Sequence, residues 1–363
     1  MAEKFVIDIF APADFIRQSL NLPELNKIFG RNLTYASMGR FALYHILSSL
    51  KIHDKILLPA YLCPSVLLPL RLLKIQPVFY DIDKNDLNAS RESIEFLSKK
   101  FKVKTVLVAS LYGNPADLAG IEKFCQISGI KLIDDAAQSF GAKLDGRLVG
   151  SFGNAGFFSF SPGKATAGHL GAFFWTENPE YVFARTRHCL FHRLVYLDFY
   201  FNRLRRGQYR PYQVFGALTG LRKIYSRLID IRNDDICQFE ENILGGIVGG
   251  VFSGSFQFRK KYFSAFVERF RDNRYFRIIQ PRRGEPVNHK IVLCFSEMEI
   301  ARKFINYMRA NKIYCSAGYS LLTTDWQYLP NCQDISEKIA ELPIEDDEKK
   351  MEYLFERVES FLK

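Results

Sequence analysis

The sequence predicts an α/β protein: a large unit built on a mostly parallel sheet, then a smaller C-terminal α/β unit. Three observations carry this. Between residues 35 and 176, short apolar runs alternate with segments of helical periodicity. Residues 103–134 form one complete strand–helix–strand pattern with short joints, which sets strands side by side and parallel. A second, shorter alternation of strand and helix follows residue 250.

The elements run in order along the chain. KILLPAY (55–61) and PVFYDID (77–83) are short apolar runs of strand character. VKTVLVASLYG (103–113) is β-rich and closed by glycine. PADLAGIEKFCQISG then places Leu118, Ile121, Phe124 and Cys125 at helical spacing, with Pro115 as start signal and Gly129 as stop signal. IKLID (130–134) returns as a strand, and AGFFSF (155–160) and GAFFW (171–175) are strands on either side of the loop SPGKATAGHL. Later, residues 258–272 read as a helix, KIVLCFS (290–296) as a strand and EIARKFINYMRANK (299–312) as a helix. The tail carries Met351, Leu354, Phe355, Val358, Phe361 and Leu362 on one helical face, with acids in its first turn. The expected division is a large domain over 1–250 and a small one over 251–363.

Composition narrows the function. The 363 residues have ample apolar content for a sizeable core. No apolar run reaches the ~18 residues of a membrane span. MAEKFVIDIFAPADF has no basic segment before a long apolar core, so no signal peptide is read and a cytoplasmic location is expected. Seven scattered cysteines form no C-x-x-C pair, and no His/Cys cluster has metal spacing, so reduced thiols and no metal are expected. The net charge of +11 is concentrated: residues 185–232 hold eleven Arg or Lys against two acids, Asp198 and Asp230. That excludes a general nucleic-acid surface and marks one basic, aromatic-rich insert.

Three sites could carry chemistry. Asp135 follows strand IKLID, at the carboxyl end where open parallel sheets place ligands, with Gln138 one helical turn on. Asp134 or Asp135 could equally be a helix cap. In Ser159-Phe160-Ser161-Pro162-Gly163-Lys164, hydroxyls and a lysine share a tight loop that could bind phosphate and form a Schiff base, or be a surface turn. Gly39 and Arg40 stand before the apolar helix FALYHILSSL, and the backbone N–H groups of a helix N-terminus suit a phosphate.

Together, DDAAQSFGAKLDGRLVGSFGNAGFFSFSPGK resembles the cofactor region of the DegT/DnrJ/StrS sugar aminotransferases, which depend on pyridoxal 5'-phosphate (PLP) and have fold type I. The resemblance extends to LLPAYLCPSVLLPLRLLKIQPVFYDID, SLYGNPADLAGIEKFCQISG and LPNCQDISEKIAELPIEDDE, and leaves residues 185–235 uncovered. It implies that Lys164 holds PLP covalently and then moves a proton. It implies that Asp135 pairs with the pyridine nitrogen, Gln138 meets the phenolic oxygen, and Ser159 with the Gly39 and Arg40 amides binds the phosphate. The activity implied is transfer of an amino group, from glutamate, to a nucleotide-linked keto sugar in polysaccharide or glycoconjugate biosynthesis, by a homodimer.

The chain departs from the family pattern in places. Met38-Gly39-Arg40 replaces Ser-Gly-Thr, Cys63 stands where an aromatic stacks on the cofactor, and His169-Leu170 replaces Glu-Gly after the lysine. These changes leave two alternatives: a non-catalytic or regulatory relative, or a PLP enzyme of another reaction type, such as dehydration. The insert has three readings. It packs on the dimer partner, lies on an anionic membrane surface, or holds a substrate pyrophosphate through Arg205, Arg206 or Arg210.

Overall fold

The computed structural model of the chain describes residues 22–36, 38–160, 164, 171–178 and 257–363. The insert at 185–232, His169, Leu170 and the expected boundary at residue 250 lie outside the described residues.

The large sheet has seven strands: β1 (Thr34–Ala36), β2 (Lys55–Pro59), β3 (Gln76–Tyr80), β4 (Thr105–Ala109), β5 (Lys131–Asp135), β8 (Ala155–Ser159) and β9 (Ala172–Thr176). Their spatial order is β1-β9-β8-β5-β4-β2-β3. From β3 to β8 neighbouring strands are parallel, and β9 runs antiparallel to both β8 and β1. The sheet is therefore mixed but mostly parallel, as the strand–helix alternation predicts.

Helices cover both faces. On one side α2 (Gly39–Ser49) and α3 (Leu67–Leu73) pack with Ile56, Leu58, Leu107, Ile133 and Phe157. On the other, α1 (Leu22–Phe29), α4 (Arg91–Phe101) and α5 (Leu118–Ser128) pack with Leu57, Val106, Val108, Leu132 and Phe158. Successive strand residues point to opposite faces, so Ile133 and Asp135 look toward α2 while Leu132 and Asp134 look away.

Local chemistry explains the joints. Asp117 caps α5 by accepting from the Gly120 N–H at 3.3 Å, and Gly129 closes it in the left-handed region at φ +60°. The helix thus starts after Asp117 rather than at Pro115. Strand β3 stops at Tyr80, short of the expected run to residue 83, because Asp81 turns away. Its two carboxylate oxygens accept from the Asn331 and Cys332 N–H groups at 2.9 and 2.8 Å, capping α8 (Pro330–Ile335). The strands β6 (Lys143–Leu144) and β7 (Arg147–Leu148) form a hairpin whose turn residues Asp145 and Gly146 have φ +50° and +76°.

The second sheet is antiparallel, in the order β10 (Phe276–Ile278), β11 (Ile291–Phe295), β13 (Ile339–Leu342), β12 (Ser316–Ala317). With α6 (Gln257–Phe270), α7 (Met298–Ala310) and α9 (Glu348–Leu362) it buries a separate core that includes Phe266, Phe304 and Leu354. The apolar face expected for the tail helix lies against this core. Among the described residues, no helix is long and apolar enough to cross a membrane.

One close approach fixes the loop beneath the site. The Gly150 N–H donates to Asp134 Oδ2 at 2.6 Å, and the Gly150 carbonyl accepts from Trp175 Nε1 at 2.7 Å. A Cβ on Gly156 would lie 2.1 Å from that carbonyl oxygen and 2.8 Å from Trp175 Nε1. Gly156→Ala is therefore expected to cost about 1–3 kcal/mol of unfolding free energy through overpacking against backbone, as read by urea denaturation.

Candidate active site

The parallel strands end on one edge, and the face looking toward α2 carries the polar residues. Asp135 ends β5 and is buried; its Oδ1 accepts from the Ala137 N–H at 2.9 Å. Burial pushes its carboxyl up to about 6, opposed by the Ala137 bond and by Lys164. Asp134, on the opposite face, is also fully buried and has a different role. Its Oδ2 accepts from the Gly150 and Phe152 N–H groups at 2.6 and 3.2 Å, so it anchors a loop. Burial pushes it up to about 8. The two adjacent acids differ because the strand sends them to different layers.

Ser159 ends β8 on the same face as Asp135 and is buried. The first turn of α2 lies against it: a Cβ on Gly39 would sit 3.1 Å from Ser159 Cβ and 3.2 Å from its Oγ. Met38 caps α2 without a side-chain hydrogen bond, so no side chain at the cap competes for the first-turn N–H groups. The Arg40 guanidinium turns back, its Nη2 donating to Met38 Sδ at 2.9 Å and its centre 5.7 Å from the Phe41 ring. A close approach of small groups at a helix N-terminus is the cradle a phosphate needs.

Lys164 is half-buried, with its amine among Cys63, Asp135, Lys290 and Glu341. Burial holds its pKa below the usual lysine range and Lys290 lowers it further, while Cys63, Asp135 and Glu341 oppose the shift. Gln138 is buried beside the Tyr112 backbone and the Tyr319 hydroxyl. Cys63 Sγ lies 3.2 Å from Ser65 Oγ.

Sequence reasoning missed a polar tier beneath these groups. The Tyr61 and Tyr112 hydroxyls are 2.6 Å apart, and Tyr112 donates to Glu341 Oε1 at 2.9 Å. Glu341 Oε2 takes Lys290 Nζ at 2.6 Å and Ser316 Oγ at 2.8 Å. Tyr319, Lys290 and Glu341 come from the second sheet and the loops beside its strands, where no local pattern marks them. Their only signal is polar type inside otherwise apolar runs, as with Glu341 in IAEL. Among the described residues no group of His, Cys, Asp and Glu side chains could hold a metal ion.

This arrangement belongs to a known structural class. The fold matches that of an Escherichia coli GDP-4-keto-6-deoxy-D-mannose-3-dehydratase solved with hydrated PLP, at TM-score 0.68 and 19% identity, over 95% of this chain and 91% of that one. The chain has the fold of the PLP-dependent fold type I enzymes. More narrowly, residues 33–192 match the model of the DegT/DnrJ/EryC1/StrS aminotransferase family. A UDP-N-acetyl-3-dehydro-alpha-D-glucosamine 3-aminotransferase from Acidithiobacillus ferrooxidans is 35% identical over 136 residues, 37% of this chain and 36% of that protein. A GDP-perosamine synthase from Vibrio cholerae is 30% identical over 144 residues, 39% of either chain. The match thus spans little more than a third of the length of each of these two curated relatives.

Asp134 provides a test of this layering. Its folded value of about 8 stands above the ordinary 3.8, so the folded chain keeps a proton that the unfolded chain releases. The associated stability is complete below pH ~4 and is lost as pH rises through ~8. Asp134→Asn keeps an acceptor for Gly150 and Phe152 and removes the titration. Urea unfolding from about pH 5 to about pH 9 should show the variant gaining steadily on the wild type. A constant difference would mean that Asp134 is ionised throughout.

Proposed function

We propose that the chain is a PLP-dependent aminotransferase that converts a nucleotide-linked keto sugar to an amino sugar, with glutamate as donor, for polysaccharide or glycoconjugate biosynthesis. The observation that carries this is Lys164 within electrostatic reach of Asp135 at the carboxyl edge of the sheet, beside Gln138. The relatives' names, an aminotransferase of a UDP-linked sugar and a synthase of a GDP-linked amino sugar, support the substrate class.

The residues present suit the cofactor. Ser159 and the first turn of α2, at Gly39 and Arg40, would hold its phosphate. Asp135 would face the pyridine nitrogen, where a cationic partner draws the carboxyl back down and keeps it ionised. Gln138 would meet the phenolic oxygen. Bound PLP supplies an electron sink for charge developing at the substrate carbon. Lys164 would form the covalent attachment and, once released, accept and return a proton. Its lowered pKa favours the neutral amine that both tasks require. Retention of this lysine sets transamination ahead of dehydration.

The finer assignments are a homodimer, a cytoplasmic location, and contact of the 185–232 insert with an anionic ligand or lipid. Eleven basic side chains interleaved with nine Phe or Tyr support the last of these. Co-sedimentation with vesicles containing anionic lipid, and the KM for a nucleotide sugar after Arg205→Ala with Arg206→Ala, decide it. Binding or a raised KM is expected; if neither changes, the insert only packs.

The cofactor reading is tested by the visible spectrum of purified protein with and without glutamate. Wild type should be yellow and bleach on adding glutamate. Lys164→Ala should bind PLP weakly and yield no borohydride-stable adduct. Asp135→Asn should stay folded and lose at least about 100-fold in the glutamate half-reaction. A labelled peptide carrying another lysine would overturn the assignment of Lys164.

A further inference from the structure

Gln138 has both ends of its side chain committed. The Tyr112 N–H donates to Oε1 at 3.1 Å, and Nε2 donates to the Tyr319 hydroxyl at 2.5 Å. A backbone N–H can only donate, so the atom facing it is the oxygen, and the orientation of the amide is settled by chemistry. One Nε2 hydrogen then remains for a further acceptor. Tyr319, accepting from Gln138, keeps its own proton to donate. Burial and then Glu341 hold that phenol above its usual range, so it stays neutral.

The partners of Gln138 are firmly braced. The Tyr319 ring stands edge-on to Tyr61 at 5.6 Å and stacks on Tyr112 at 6.5 Å. A Cβ on Gly318 would lie 2.1 Å from the Tyr61 hydroxyl, so the loop that delivers Tyr319 is pressed directly on that ring. Tyr112 has φ +58° and ψ +17°, a left-handed conformation that costs free energy for an aromatic residue. Such a residue persists where its surroundings over-determine it. Here its N–H goes to Gln138, its carbonyl accepts from the His289 N–H at 3.0 Å, and its hydroxyl joins Tyr61 and Glu341.

We infer that Tyr319 is a positioning residue: its hydroxyl, braced by Tyr61 and Tyr112 on the Glu341–Lys290 pair, orients the Gln138 carboxamide toward the phenolic oxygen of PLP. This rests on the cofactor reading of Gln138 given above. The second sheet thereby sets the geometry of a contact made by the first. Tyr319 also lies near enough to Asp135 and Cys63 to feel their charge, which places it at the site itself.

The test is a double-mutant cycle on the holoenzyme, with PLP affinity and the visible absorption maximum as readouts. Tyr319→Phe keeps both ring contacts and removes only the hydroxyl. It should weaken PLP binding about two- to tenfold and shift the visible band. Gln138→Ala should have an effect of similar size. Adding Tyr319→Phe to Gln138→Ala should change nothing further, because the tyrosine acts only through the glutamine. An unchanged Tyr319→Phe protein, or fully additive effects, overturns the proposal while the cofactor reading stands. A wild-type chain that takes up no PLP overturns both.

Discussion

Everything at the candidate site depends on two adjacent carboxylates at the end of one buried strand. A buried acid is costly unless its polar atoms find partners, and β5 supplies two in succession. The pleat separates them. Asp134 turns to the layer of α1, α4 and α5 and anchors the Gly150–Phe152 loop with two backbone N–H groups. Asp135 turns to the α2 layer, where Ala137 satisfies one oxygen and the Lys164 amine lies within electrostatic reach. One carboxylate builds the floor and the other faces the chemistry. The loop that Asp134 anchors is the one pressed against Gly156 and held by Trp175, so the position of β8 and of Ser159 at its end depends on it.

A second constraint comes from the other sheet. Lys290 and Glu341 form a nearly dry ion pair, a costly arrangement unless the remaining valences are filled. Ser316 and Tyr112 fill them. Through Tyr112 and Tyr319 this pair reaches Gln138, so the two sheets meet in polar as well as apolar contact. The apolar part is continuous, since Val292, Leu329 and Ile339 join the cluster formed by α2, α3 and the large sheet.

Much of this was legible in the sequence. Strand character at 55–61, 103–113 and 155–160 and the helical spacing of Leu118, Ile121 and Cys125 reflect local patterns, and these elements form close to where they were expected. The motif residues Asp135, Gln138, Ser159 and Lys164 stand within thirty positions of one another, and it is the resemblance of that whole stretch to the DegT/DnrJ/StrS pattern, not any residue by itself, that implies their association. Other features carried no such signal. Asp81 ends its strand early because its partner helix lies 250 residues away. Tyr319, Lys290 and Glu341 reach the site only through tertiary packing. The hairpin turn at Asp145-Gly146, by contrast, is a purely local signal, an Asp-Gly pair with both residues at positive φ.

The same long-range bracing bears on how the chain is made. Asp135 and Lys164 leave the ribosome with their strands, but Glu341 follows roughly 10–40 s later at ordinary elongation rates. During that interval Tyr112 lacks the Glu341 acceptor for its hydroxyl and, until residue 289 has emerged, the His289 N–H for its carbonyl, so its left-handed conformation is less fully braced. The nascent sheet can form, but Gln138 stays without its brace until the last strand docks. A chain truncated before residue 339 would therefore carry every motif residue and still lack the Glu341 acceptor and the Lys290–Glu341 pair beneath them.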